Sequence, residues 1–166
     1  HPFALTSQIT QQLRRFASNE KATVFMVLLA AVKAVFHLAG GIQDIILTTF
    51  VDCRTRPELN DVFGCFSQGV PLRTRVPRGL TFSQLLQRVR STCLDAFTHQ
   101  DLPADKIGDS LRRAGRPPLQ INAAIQILES KRAPSGQPGL EIERLEFGVN
   151  GAVAKSVQLL LDQFGS

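Results

Sequence analysis

General acid–base or nucleophilic chemistry needs a base within reach of a nucleophile, and the internal histidines of this chain are His37 and His99. His37 closes a long apolar run, where a hydrogen-bonded histidine at a helix C-terminus also accounts for it, because that helix end favours positive charge. His99 stands just before Asp101, which reads as the N-cap of a following short helix. Cys53, Cys65 and Cys93 are an odd number without a closely spaced pair. That argues against a disulfide framework and a zinc site, and predicts reduced, partly buried thiols. There is no Gly-x-Ser-x-Gly elbow, no Gly-rich phosphate loop running into a helix with Lys-Ser or Lys-Thr, and no His-Glu-x-x-His. The residue types therefore make no complete catalytic centre and no metal site.

The elements that would position these residues must come from 166 residues, 43% of them hydrophobic, enough for one core. The expectation is one domain, or one lobe (residues 1–166) of a larger one. The longest apolar run, Ala22 to Val32, is about half the roughly 20 residues of a membrane span, so it predicts a buried core helix and no membrane. The chain opens on His1 without a leader pattern, as an excised piece would, and a cytoplasmic setting is expected. The net charge of +5 gathers at Arg73, Arg75 and Arg78, at Arg112, Arg113 and Arg116, and at Lys131 and Arg132, and favours acidic partners. Nucleic acid is not expected among them, because there is no Trp or Tyr to interleave as stacking platforms and the 11 Phe mostly fall at core spacing.

Ser7 or Thr6 caps a first amphipathic helix carrying Ile9, Leu13, Phe16 and Ala17 on one face. A second helix, Thr23 to Leu38, is apolar nearly all round, interrupted by Lys33 and His37 and ended by Gly40 and Gly41. Asp44 to Asp52 is β-rich over strand length, and Arg54 to Asp61 is a polar loop. Val62 to Val76 reads as extended, with a bulge or sharp bend at Gly64, Gly69 and Pro71. Thr81 caps the clearest helix, with Phe82, Leu85, Leu86, Val89, Cys93, Ala96 and Phe97 on its inner face. A short helix comes next, with Pro103 in its first turn and Gly115 past its end. Ile121 to Leu128 is a strand candidate, Lys131 to Gly139 a loop, and Leu140 to Phe147 a half-exposed strand able to form a hairpin with Val153 to Asp162. This alternation predicts an α/β sandwich, helices packed on a mixed sheet.

Five strings occur in the order and spacing of one family. Thr23 to Leu38 (TVFMVLLAAVKAVFHL) is similar to a helix that opens Thr-Leu-Phe before a Leu-Leu-Ala-Ala run. Asp44 to Arg54 (DIILTTFVDCR) is similar to the strand after that helix, which ends in small residues and an arginine. Phe63 to Arg73 (FGCFSQGVPLR) matches Ile-Gly-x-Phe-Val-Asn-x-Leu-Pro-Leu-Arg at Gly64, Phe66, Pro71, Leu72 and Arg73. The helix after Thr81 ends in Thr-His-Gln-Asp, like a His-Gln-Asp-x-Pro-Phe-Glu motif, with His99, Asp101 and Pro103 in place. Arg113 to Gln126 (RAGRPPLQINAAIQ) is similar to Arg-x-x-x-x-Pro-Leu-Phe-Gln and its strand, and Ala154 and Lys155 are similar to an Ala-Lys that opens the next. The chain thus resembles the C-terminal lobe of a condensation domain of nonribosomal peptide synthetases.

That resemblance implies half of a chloramphenicol-acetyltransferase-like fold, whose two lobes enclose a tunnel entered from opposite faces by carrier proteins. An acceptor amine there attacks a donor thioester, and both substrates ride on carrier phosphopantetheine, with no cofactor held by the lobe itself. The His-His-x-x-x-Asp-Gly motif of that chemistry belongs to the N-terminal lobe, so this lobe is expected to be inactive alone. The partners implied are that lobe, acyl or peptidyl carrier proteins and neighbouring synthetase domains. Arg54 matches the arginine that pairs with the motif's aspartate and braces the lobes; Cys53, Ser67, Gln68 and Gln126 match tunnel-lining positions; Gly64, Phe66, Pro71, Arg73, His99, Asp101 and Pro103 are motif positions of structural character. The sequence departs at Ser67 and Gln68 (Val-Asn in the family), at Ala104 and Asp105 (Phe-Glu), and at Asp52 and Cys53 (Ala-Gly). An acid and a thiol there narrow or polarise the tunnel wall, or mark a degenerate scaffolding lobe of a megasynthase; half of a coenzyme-A-dependent acyltransferase is a third reading.

Overall fold

The computed structural model describes residues 5–129 and the strand 157–163. The loop expected at 131–139, the strand expected at 140–147 with its hairpin pairing, and Ala154 and Lys155 lie outside the described residues.

Helix α1 (Ser7–Asn19) is capped by Thr6, whose hydroxyl accepts from the Ile9 N–H, so of the two predicted caps Thr6 is used. Helix α2 (Val24–Gly40) is capped by Thr23 and ends at Gly41, whose positive φ of 64 supplies the left-handed turn that L side chains avoid. Strand β1 (Asp44–Asp52) pairs antiparallel with β2 (Ser67–Arg75), and the chain makes a single 3-10 turn between them at Pro57–Leu59. Helix α3 (Phe82–Thr98) opens with a reciprocal capping box between Thr81 and Gln84. After α4 (Ala104–Arg113), strand β3 (Ala123–Glu129) returns parallel to β1, and β4 (Val157–Gln163) pairs parallel with β3. The sheet order is β2-β1-β3-β4, mixed as expected, with α2 and α3 packed over one face and α1 against α2.

The core lies between that face and the helices: Leu29, Ile45, Leu47, Leu72, Leu86, Val89 and Cys93 are fully buried, joined by Ala123 and Ile125 from β3. Three expectations change here. The stretch from Val62 is not extended throughout, and no bulge interrupts the pairing, which runs unbroken over nine residues from Asp44↔Arg75 to Asp52↔Ser67. The strand starts only at Ser67, because the carbonyls of Val62 and Gly64 face the Arg54 guanidinium instead of a neighbouring strand. Pro71 is accommodated because Ile45, Leu47, Thr49 and Val51 exchange the β1–β2 bonds, so Arg73, Pro71, Gly69 and Ser67 aim their backbone at the outer edge of β2, where no described strand pairs. Thr92 of α3 donates to the outward Arg73 carbonyl, 3.3 Å away. Asp101 does not cap α4; Pro103 takes that place without a side-chain bond, its carbonyl accepting from Lys106 and Ile107. The phenylalanines fill the margin of the core rather than its centre: Phe16, Phe25, Phe36 and Phe97 pack against it half-buried, while Phe50, Phe63 and Phe82 are exposed.

Candidate functional site

Antiparallel pairing carries the chain on from β1 through Cys53, whose N–H donates to the Phe66 carbonyl, and brings both sides of the long connection together at Arg54. The Arg54 Nε donates to Leu59 O at 3.2 Å, and one terminal nitrogen donates to Val62 O and Gly64 O at 3.2 and 3.1 Å. The other terminal nitrogen meets the Asp52 carboxylate at 3.2 and 3.4 Å, and the guanidinium carbon lies 4.3 Å from the centre of the Phe66 ring. A planar fork with five N–H groups is the side chain able to hold three carbonyls, an acid and a ring at once. Arg54 is thus the keystone of its own loop, and together with residues 60–65 it lines an open recess of about 630 Å³. Phe63 is fully exposed there and Cys65 is exposed at the same wall.

Strand alternation separates the other predicted positions. Ser67 stands opposite Asp52 on the face not covered by helices. Gln68 shares the helix-covered face with Val70 and Leu72, and its Nε2 donates to Gln100 O (2.7 Å) and Leu102 O (2.9 Å). It therefore pins the turn that carries His99 and Asp101. His99 Nδ1 donates to Asp95 O at 2.8 Å, an exposed helix end, and Asp101 is exposed. His37 Nδ1 donates to Ile42 O at 2.9 Å, the helix-end arrangement anticipated for it. Gln126 accepts from the Thr49 hydroxyl (3.1 Å) and the Phe50 N–H (2.9 Å), tying β3 to β1. Arg73 makes a two-pronged pair with Asp44, at 2.8 and 2.5 Å, which holds that carboxyl below its ordinary range through the hydrogen bond from Arg73 and raises the Arg73 guanidinium. Among the described residues no group of three or more His, Cys, Asp and Glu side chains could hold a metal ion, and no single helix is long and apolar enough to cross a membrane.

Two features have little or no signature in the sequence. Lys33 is fully buried, and its ammonium donates to Ile45 O (3.2 Å), Leu72 O (2.7 Å) and Thr74 Oγ1 (2.9 Å), using all three protons on the β1–β2 seam. Burial lowers it from an ordinary 10.5 to about 8, and burial raises the neighbouring Cys93 thiol from 9.0 to about 11. Its one signal is a lone lysine on an otherwise apolar helix. The second is Asn122, which exchanges two bonds with Ile46, by its N–H (2.8 Å) and its side-chain oxygen (2.9 Å), and for which the sequence holds no sign.

The geometry can be set beside known proteins. A family model described as the condensation domain matches residues 1–140. The chain is 38% identical over 110 residues to phosphinothricin tripeptide synthetase PhsC of Streptomyces viridochromogenes, covering 66% of this chain and 10% of that protein. It is 36% identical over 122 residues to cyclosporin synthetase simA of Tolypocladium inflatum, covering 71% of this chain and 1% of that protein. The chain therefore spans a small part of these relatives. In structure it is similar to the SgcC5 protein from Streptomyces globisporus, with a TM-score of 0.65 at 28% identity over 81% of this chain and 30% of that one. It shares the fold of the first condensation domain of the CDA synthetase at a TM-score of 0.62, with 22% identity over 73% of this chain and 27% of that one. The mixed sheet covered on one face, the arginine closing the loop after β1 and the match over residues 1–140 agree: the chain belongs to the condensation domain family.

Proposed function

We propose that this chain is the tunnel-lining and lobe-bracing half of an enzyme that joins two carrier-borne thioesters through an amide in nonribosomal or hybrid polyketide-peptide synthesis. The observation that carries this reading is family membership together with a sheet face that no described helix covers, which presents Ser67 beside the Arg54 loop. In the reaction the acceptor amine attacks the donor thioester carbonyl: a C–N bond forms, the C–S bond breaks, the donor carrier's thiol leaves and the amine loses a proton. Neither internal histidine serves a free nucleophile: His37 lines a small recess whose one hydroxyl, that of Thr81, is spent capping α3, and both ring Nδ1 atoms are spent on carbonyls at their own helix ends. The base is therefore assigned to the His-His-x-x-x-Asp-Gly motif of an N-terminal lobe, and this lobe alone is inactive. Its substrates remain on the phosphopantetheine arms of carrier proteins in a cytoplasmic assembly, and acidic carriers suit the exposed arginines at the end of α4.

A scaffolding lobe is the second reading, favoured by one observation: the acid at Asp52 already neutralises Arg54 within the lobe. The two are separated by mixing the chain with a His-His-x-x-x-Asp-Gly lobe and loaded carriers and following amide product by mass spectrometry. Condensation predicts product that disappears with Arg54→Ala, and its absence from the unaltered mixture rejects condensation in favour of the scaffold.

A further inference from the structure

Strands β1 and β3 lie side by side, yet they pair only at Leu47↔Ala123 and Thr48↔Ala124, against nine pairs for β1 with β2 and seven for β3 with β4. Beyond Thr48 the two parallel strands part. The next β1 donor aimed at β3, the Phe50 N–H, meets the Gln126 side-chain oxygen rather than a β3 carbonyl. An oxygen that receives a backbone N–H and a hydroxyl leaves no ambiguity about which end of the amide is nitrogen, so the Gln126 NH2 is turned away from β1. Among the described residues Nε2 has no partner. The gap opens at the C-terminal ends of two parallel strands, where the chain switches from building on one side of β1 to the other, a place where open α/β sheets receive ligands. The Phe50 ring leaves the gap clear, because it leans the other way, over the bare Cα of Gly69 in β2, where a Cβ would meet ring atom Cε1 at 3.8 Å. An oriented uncharged donor suits a carbonyl; a carboxylate or phosphate would call for a cation, and the three guanidinium nitrogens of Arg54 are engaged.

We propose that Gln126 is a positioning residue that donates to a carbonyl oxygen of the thioester substrate entering between β1 and β3. This rests on the acyl-transfer reading. Gln126→Glu tests it, because a carboxylate still accepts from Phe50 and Thr49 while both amide donors are lost. In the two-lobe assembly with soluble acyl-pantetheine as donor, KM rises about tenfold, the loss expected for one such bond, with kcat and Tm nearly unchanged. Gln126→Met also removes the strand staple and lowers Tm as well. In the 15N spectrum the Gln126 side-chain NH2 pair moves downfield on adding the donor. A shorter donor, acyl-N-acetylcysteamine, identifies the carbonyl: an equal KM rise assigns the acyl carbonyl, and a rise confined to acyl-pantetheine assigns an amide of the arm. Turnover with an unchanged KM in Gln126→Glu overturns this role and leaves the acyl-transfer reading standing; no turnover by the unaltered assembly overturns both.

Discussion

Lys33 makes the stability of this lobe depend on pH in a direction opposite to that of most proteins at alkaline pH. With its native value near 8 and its unfolded value at 10.5, the native state gives up this proton first. Between those limits the unfolded chain binds more protons, so unfolding becomes harder as pH rises, by about 3 kcal/mol across the window. Cys93 works the other way: its thiol, raised to about 11 from 9.0, keeps its proton longer when folded, and it removes about 3 kcal/mol as pH climbs through that interval. The unaltered chain should therefore gain stability from pH 8 to 9, hold nearly level while the two effects cancel, and decline above 10.5. Cys93→Ala isolates the lysine. In that background the urea midpoint should climb by about 1–3 M between pH 8 and 10.5, and adding Lys33→Met should flatten the curve. The chain has no Tyr to titrate in the same range. A Cys93→Ala midpoint that is flat or falling over this window, and unaffected by Lys33→Met, would refute a buried ammonium on the β1–β2 seam.

Arg54→Lys should behave like Arg54→Ala, because one ammonium cannot reach the Leu59, Val62 and Gly64 carbonyls and the Asp52 carboxylate together. Both variants should lose about 1–3 kcal/mol and gain protease cleavage within residues 55–65, whereas intact resistance in Arg54→Lys would deny the keystone role. Thr81→Ala removes one half of the α3 capping box and should lower stability by about 1 kcal/mol in chemical denaturation, with no change in the α2 end of the core.

What the amino-acid order discloses is whatever is settled locally. The bounds of β1 follow from a β-branched run held between Gly41 and a polar loop, and Thr81 and Thr23 announce their helices because a cap acts within three residues. The site is made by bonds across long separations. Lys33 finds acceptors 12, 39 and 41 positions away, and Gln126 finds its donors 76 and 77 positions away, so neither partner is visible before the sheet order is known. Arg54 is identifiable as important through its motif, but its attachment to its own loop is not, because Asp52 reads in the sequence as a departure from the motif rather than as a counter-ion. Asp101 misleads for the opposite reason: a good capping residue two positions early is outcompeted by a proline whose φ of −60 already suits the helix entry.

The outer edge of β2, unpaired among the described residues, matters in crowded surroundings. A chain that carried several such lobes in tandem would hold nearly identical sheets together at millimolar effective concentration, where one exposed edge could zip onto another. Pro71 presents no N–H at the middle of that edge, and Thr92 occupies the Arg73 carbonyl beside it, so an incoming strand would find its hydrogen-bond run broken at two successive outward positions. A proline that reads as a break in the strand thus obstructs edge-to-edge pairing with any strand that approaches it.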